Sequence, residues 1–211
     1  MAKLLNINKK SNGGKTLYAD EKSVENLCKY VVGEDGGHSS QEILGRGEFG
    51  VMKSETTQAM ATQMLIVQND YKINQRGGRR MAHMCNCISE EEFGKIGCNE
   101  KILMNYFDDC ARDFYEMGHQ VVYGVHLNNP AEDEGTHAFA HVHFAINSIN
   151  FNDGKKFHMN RKEVYGEENV MNQQLVEYEN QSAVIFENAD VWRRGQDGVG
   201  GERLNGSDIY Y

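Results

Sequence analysis

Apolar positions along the chain fall into two rhythms, one of helices and one of strands. Over residues 99–117, Ile102, Leu103, Tyr106, Phe107, Cys110, Phe114 and Met117 recur with the 3.6-residue period of a helix face, and Gly118 supplies a stop. A second helix is expected over 20–32, with Val24, Leu27, Cys28 and Val31 on one face. A short helix fits within 57–70 and another within 160–180. Weak alternation or compact apolar runs predict strands at 2–8, 81–88, 119–127 and 137–149, with SAVIF (182–186) as a further strand. The polar, turn-rich stretch NNPAEDEGT between two of these predicts an antiparallel hairpin, and the glycine- and serine-rich residues 33–51 predict a loop. Helices and strands interspersed without regular βαβ spacing predict an α+β fold, a mainly antiparallel central sheet flanked by helices.

Length and composition narrow the class. A chain of 211 residues with 39% hydrophobic and 25% charged positions fits a single globular domain with a substantial core. No apolar run is long enough for a membrane-spanning helix, and residues 1–10 lack a long apolar stretch, so the expected compartment is the cytoplasm. Five cysteines, an odd number, argue against a disulfide framework. The net charge of -9 is unevenly spread: residues 163–211 hold ten acids against three arginines. They read as an acidic extension that packs on or follows a core of residues 1–162, within the same domain. Basic residues cluster elsewhere, at Lys3, Lys9, Lys10 and Lys15, at Lys72, Arg76, Arg79 and Arg80, and at Lys155, Lys156, Arg161 and Lys162. An acidic total therefore does not exclude a basic groove, although each cluster alone also fits a solvated surface.

The candidate chemistry lies in HVHFAIN. On a strand, His141, His143 and Asn147 share one face while Val142, Phe144 and Ile146 pack on the other. Two imidazoles spaced i, i+2 can share one metal ion, and His126, on the preceding strand, can supply a third nitrogen. His137 is the rival third ligand. Three protein nitrogens leave coordination positions open, as a catalytic metal requires. With eight histidines in the chain, chance alone gives roughly 0.3 of a His-x-His pair, so the pair needs its context. A competing metal site would use His83, Cys85, Cys87 and Cys98, without any CxxC. A cupin would need a glutamate shortly after the pair, where FAINS stands instead.

The context is specific. YGVHLNN, a polar turn, HVHFAIN and then DGKKFH resemble the third motif of plasmid and transposon mobilisation relaxases, the nicking enzymes of conjugation within the HUH endonuclease superfamily. GRRMAHMCNCIS, an amphipathic helix and GHQVVYGVH are similar to the family's middle region, so the resemblance covers roughly residues 20–160. It implies the sandwich of that superfamily. Three departures stand out. The turn between His126 and His141 is longer than usual and lacks a His-x-Asp start. Cys87 occupies the place of the usual serine, with Ser89 two residues on. The NPeKT sequence expected after the nucleophile is missing.

SVENLCKYVVGEDG resembles the segment that carries the nucleophilic tyrosine, which puts Tyr30 in that role and leaves Tyr18 as the alternative. The resemblance implies attack by the phenol on a phosphate of single-stranded DNA at a transfer origin, giving a 5′-phosphotyrosine that permits later rejoining. His126, His141 and His143 would hold a divalent ion. The family implies magnesium or manganese, while all-imidazole ligation also suits zinc or nickel. Arg79, Arg80, Asn147, Lys155 and Lys156 are the candidate DNA contacts. The same resemblance implies accessory relaxosome proteins and a type IV secretion coupling protein as partners, no membrane insertion, and transfer to a recipient bacterium attached to DNA. Relaxases commonly carry further domains, so this chain is expected to be part of a longer one. A rolling-circle initiator or single-tyrosine transposase would use the same groups, and a non-catalytic metal protein would use only the histidines.

Overall fold

The computed structural model describes residues 2–6, 18–34, 43–53, 56–72, 77–127 and 140–197. Lys9, Lys10, Lys15, Arg76 and His137 lie outside the described residues. Five strands, β1 (Lys3–Asn6), β2 (Ile43–Phe49), β3 (Met81–Ile88), β4 (Val121–Leu127) and β5 (Ala140–Asn147), form one sheet in the order β1-β3-β5-β4-β2. Every neighbouring pair is antiparallel. Among the described residues five helices accompany it: α1 (Glu21–Val31), α2 (Thr57–Asp70), α3 (Glu90–Lys95), α4 (Glu100–Glu116) and α5 (Arg161–Asp197). The expected α+β architecture is present.

Local chemistry sets the helix ends. Asp20 caps α1, accepting from the Ser23 N–H at 2.7 Å, while the Asp20 N–H donates to Ser23 Oγ. Asn99 caps α4 through the N–H groups of Lys101 and Ile102, and Gly118 ends that helix at φ +94°. Ser89 and Glu92 form a capping box at α3, a short helix the apolar rhythm did not indicate.

Each sheet face has its own core. Val121, Tyr123, Val125, Val142, Phe144 and Ile146 pack with Leu103, Tyr106, Phe107, Phe114, Met171 and Leu175 of α4 and α5. The opposite face, with Met81, Val122 and Ala145, is covered by Val24, Leu27, Cys28 and Val31 of α1 and Met60 and Met64 of α2. Burying each such side chain is worth about 1.5–3 kcal/mol, so both faces contribute to stability.

Two expectations are corrected. Residues 33–51 contain β2, which pairs with β4. Its glycines hid it, and two of them leave room for side chains packed over the strand: a Cβ on Gly47 would lie 2.5 Å from the Tyr123 hydroxyl oxygen, and one on Gly45 would lie 2.7 Å from Met104 Cε. SAVIF is helical, inside the 37-residue α5. Val184 and Ile185 are exposed there. Among the described residues no sheet edge receives them, and extending an existing helix avoids a new nucleation step. No helix among the described residues is long and apolar enough to cross a membrane.

Helix α5 carries a buried carboxyl that burial disfavours in its charged form. Glu167 is buried, and its Oε1 has no hydrogen-bond partner among the described residues. Burial, aided by the charge of Asp113, pushes its carboxyl up to about 7. Because the folded value is raised, its contribution is complete below the ordinary 4.5 and is lost as pH rises through about 7. Glu167→Gln should therefore match the native melting temperature near pH 4 and exceed it by about 2–4 °C at pH 8. Equal effects at both pH values in thermal denaturation would contradict this.

Candidate active site

The strand register assembles the histidines. His126 of β4 stands directly opposite His141 of β5, and His143 stands opposite Gly124. On the other side of β5, His143 faces Cys85 and His141 faces Cys87 of β3. All lie on the face covered by α1. The ring centres of His126, His141 and His143 are 4.9–5.3 Å apart, with His126 and His141 stacked and His143 edge-on to both. His126 and His143 are only 1% and 5% exposed, so these rings belong to the covered interior of that face. His141 is half-buried.

Helix α1 reaches this cluster because Gly124 lets it. A Cβ on Gly124 would lie 1.8 Å from the Val31 carbonyl oxygen. That carbonyl, in the last turn of α1, is 2.9 Å from His126 Nε2. Since a carbonyl only accepts, Nε2 carries the hydrogen and Nδ1 the lone pair. The same docking lays half-buried Tyr30 over the cluster, its ring edge-on to His143 at 5.1 Å and to His83 at 5.4 Å.

His83 of β3, a member of the competing metal site with the cysteines, has its Nε2 3.0 Å from His143 Nδ1 and its Nδ1 2.9 Å from the Tyr18 hydroxyl. Burial pushes His83 down to about 4, so it is neutral at physiological pH, with one donor and one acceptor nitrogen. Its spacing from Cys85 and Cys87 shows a shared strand face but not that the next strand offers a histidine. Cys85 and Cys87 Sγ are 3.6 Å apart, and all five cysteines are free thiols. Cys98 is exposed after α3.

Imidazole nitrogens are donors of the right kind for a divalent ion. Three imidazoles bound to one ion at about 2.1 Å with near-tetrahedral angles place their ring centres roughly 5 Å apart, the separation found here. On two of the three rings a second partner leaves one nitrogen to face an ion: the Val31 carbonyl takes His126 Nε2, and His83 contacts His143 through Nδ1. Among the described residues no three such side chains already form a metal-holding group, so the fit is one of ring spacing and tautomer.

The expected DNA contacts divide. Asn147 is 0% exposed: its Nδ2 donates to the Met64 carbonyl and to Gln120 Oε1, and its Oδ1 accepts from Gln68 and the Ile149 N–H. Buried Arg80 donates to Gln68 Oε1 at 2.9 Å and pairs with Glu21 at 3.6 Å. Both are corrected from DNA contacts to members of a buried network that fastens α2 and α1 to the sheet. Ser89 caps α3. Arg79 is half-buried near Tyr18, Lys155 is exposed and paired with Asp153, and Lys156 donates to the Gly77 carbonyl. These three gather at the Met81–Asn147 end of β3 and β5: Ser148 Oγ donates to the Arg79 carbonyl, and Lys156 bridges to Ile149.

A family model, relaxase, MobA/VirD2-like, nuclease domain, matches residues 30–179. The match begins at Tyr30 and runs through all the histidines above into α5. No curated protein and no solved structure matches the chain.

Gly124→Ala should force the end of α1 off the sheet. A loss of about 1–3 kcal/mol in denaturant unfolding is expected, together with a changed environment for the Tyr30 and His126 rings in NMR spectra. An unshifted Tyr30 signal would show that Gly124 does not set its position.

Proposed function

The chain belongs to the MobA/VirD2-like relaxase nuclease family, and on that premise we propose that it nicks single-stranded DNA at a transfer origin and later rejoins it. The observation that carries the reading is Tyr30 lying edge-on against His143, above three imidazoles at metal-sharing separations.

In this reading Tyr30 is the nucleophile. Its hydroxyl oxygen attacks the scissile phosphorus, the phenolic proton is lost, and the 3′-hydroxyl of the upstream strand leaves. The new 5′-phosphotyrosine remains a phosphodiester, so the reverse attack by a 3′-hydroxyl reseals the strand without an external energy source. His126, His141 and His143 hold a divalent ion, magnesium or manganese by the resemblance. When bound, such an ion draws negative charge from a non-bridging phosphate oxygen. The Val31 carbonyl accepts from His126 Nε2 and His83 contacts His143 Nδ1, which leaves His126 Nδ1 and His143 Nε2 to face such an ion. Arg79, Lys155 and Lys156 track the DNA backbone on one side of the cluster. Relaxosome proteins and a secretion coupling protein complete the proposed partners.

Incubation with labelled origin DNA and manganese, followed by a denaturing gel, tests the reaction. A protein–DNA adduct is expected, mapped by mass spectrometry to the peptide containing Tyr30. Tyr30→Phe should abolish the adduct while keeping the fold and DNA binding. An adduct on Tyr18 would move the nucleophile, and no adduct at all would defeat the reading. His141→Ala should lower nicking about 100-fold or more with little loss of stability, because His141 is the least buried of the three.

DNA affinity should fall with salt despite the net charge of -9. Three phosphate contacts give a logarithmic slope of about -2, so a rise in salt of about fourfold weakens binding roughly 20-fold. A flat titration would show that the basic residues are solvated surface.

A further inference from the structure

Beyond Tyr30 and the three histidines, one hydrogen-bonded line runs away from the cluster. His143 Nδ1, His83 Nε2, His83 Nδ1 and the Tyr18 hydroxyl follow one another at separations of 3.0 and 2.9 Å on either side of the His83 ring. Tyr18 is held in a left-handed backbone conformation, φ +53°, which costs a non-glycine residue of order 1–3 kcal/mol. Its carbonyl is tied to the Arg80 N–H at 2.7 Å. The Arg79 guanidinium lies near enough to act on the Tyr18 hydroxyl, and Arg79 Nε is buried with no hydrogen-bond partner among the described residues.

Neutral imidazole has one N–H, so the direction of such a line cannot vary link by link. If His143 binds a metal through Nε2, its hydrogen is on Nδ1 and must be donated to His83 Nε2. The His83 hydrogen is then on Nδ1 and must be donated to the Tyr18 oxygen. The Tyr18 hydroxyl hydrogen therefore has to find an acceptor elsewhere, beside the Arg79 guanidinium. A phosphate oxygen satisfies both a phenol O–H and a guanidinium N–H.

We propose that His83 is a positioning residue that fixes the tautomer of His143, and that Tyr18 and Arg79 form a phosphate subsite for a DNA backbone group next to the scissile one. This rests on the reading of His143 as a metal ligand. It gives the second tyrosine a binding role distinct from that of the nucleophile.

The test uses the full chain loaded with zinc, which is diamagnetic. In nitrogen-15 spectra of the imidazoles, His83 should show a protonated Nδ1 and an unprotonated Nε2, and the opposite tautomer would overturn the proposal. By calorimetry, His83→Ala should weaken zinc binding about 10- to 100-fold. His83→Gln, whose amide can accept from His143 and donate to Tyr18, should return it to within about threefold. His143→Ala separates the two levels. If it binds zinc as tightly as the native chain, the metal reading fails and the proposal falls with it. If it loses zinc while His83→Ala and His83→Gln do not, the positioning role alone is wrong. Tyr18→Phe should leave zinc affinity unchanged and weaken binding of an oligothymidylate about tenfold. Unchanged oligothymidylate binding would remove the phosphate subsite.

Discussion

Gly124 has no side chain, and the carbonyl of Val31 occupies the space where one would begin. That close approach couples the C-terminal turn of α1 to the middle of the sheet. It gives His126 a carbonyl partner and brings Tyr30 down beside His143 and His83. The carbonyl gains a donor that an open helix end would otherwise have to take from water. The apolar face of α1, with Val24, Leu27, Cys28 and Val31 fully or almost fully buried, supplies the energy that holds it there.

The buried polar network does for α2 what this contact does for α1. Asn147 sits between Met64, Gln68 and Gln120, and Gln68 links it to Arg80. Each amide group finds partners of the right sense, so burial carries no unmet desolvation cost at these links. The network begins two residues from Ile149 and the basic residues beyond it. It thus separates two kinds of polar side chain that the sequence presents together: those that fasten helices and those that meet solvent.

Much of the frame was legible. The 3.6-residue rhythm gave α1 and α4 nearly to the residue, and period-two alternation put His141 and His143 on one face and Phe144 on the other. What stayed hidden depends on partners distant in the chain. Gly45 and Gly47 look like loop residues until Tyr123 and Met104 are placed against them. His83 looked like a cysteine companion until β3 was seen to lie beside β5. Asn147 shares the face of the histidines, as alternation requires, but only the covering helix α2 decides that it is buried. SAVIF has strand-forming residues, and helix continuity overrode them.

The sheet register also accounts for a departure that the motif comparison left standing. His126 and His141 are cross-strand neighbours, held by a ladder that runs from Val121 and Ile146 to Leu127 and Ala140. The connection between those strands begins only after that ladder ends. The number of residues joining two strands enters the free energy as loop-closure entropy, which grows logarithmically, so doubling it costs only about 0.6 kcal/mol. Extra residues at this point therefore tax folding slightly and leave the pairing of the two imidazoles untouched. A domain of this design can vary the number of residues between those strands without changing the register that sets the two imidazoles side by side.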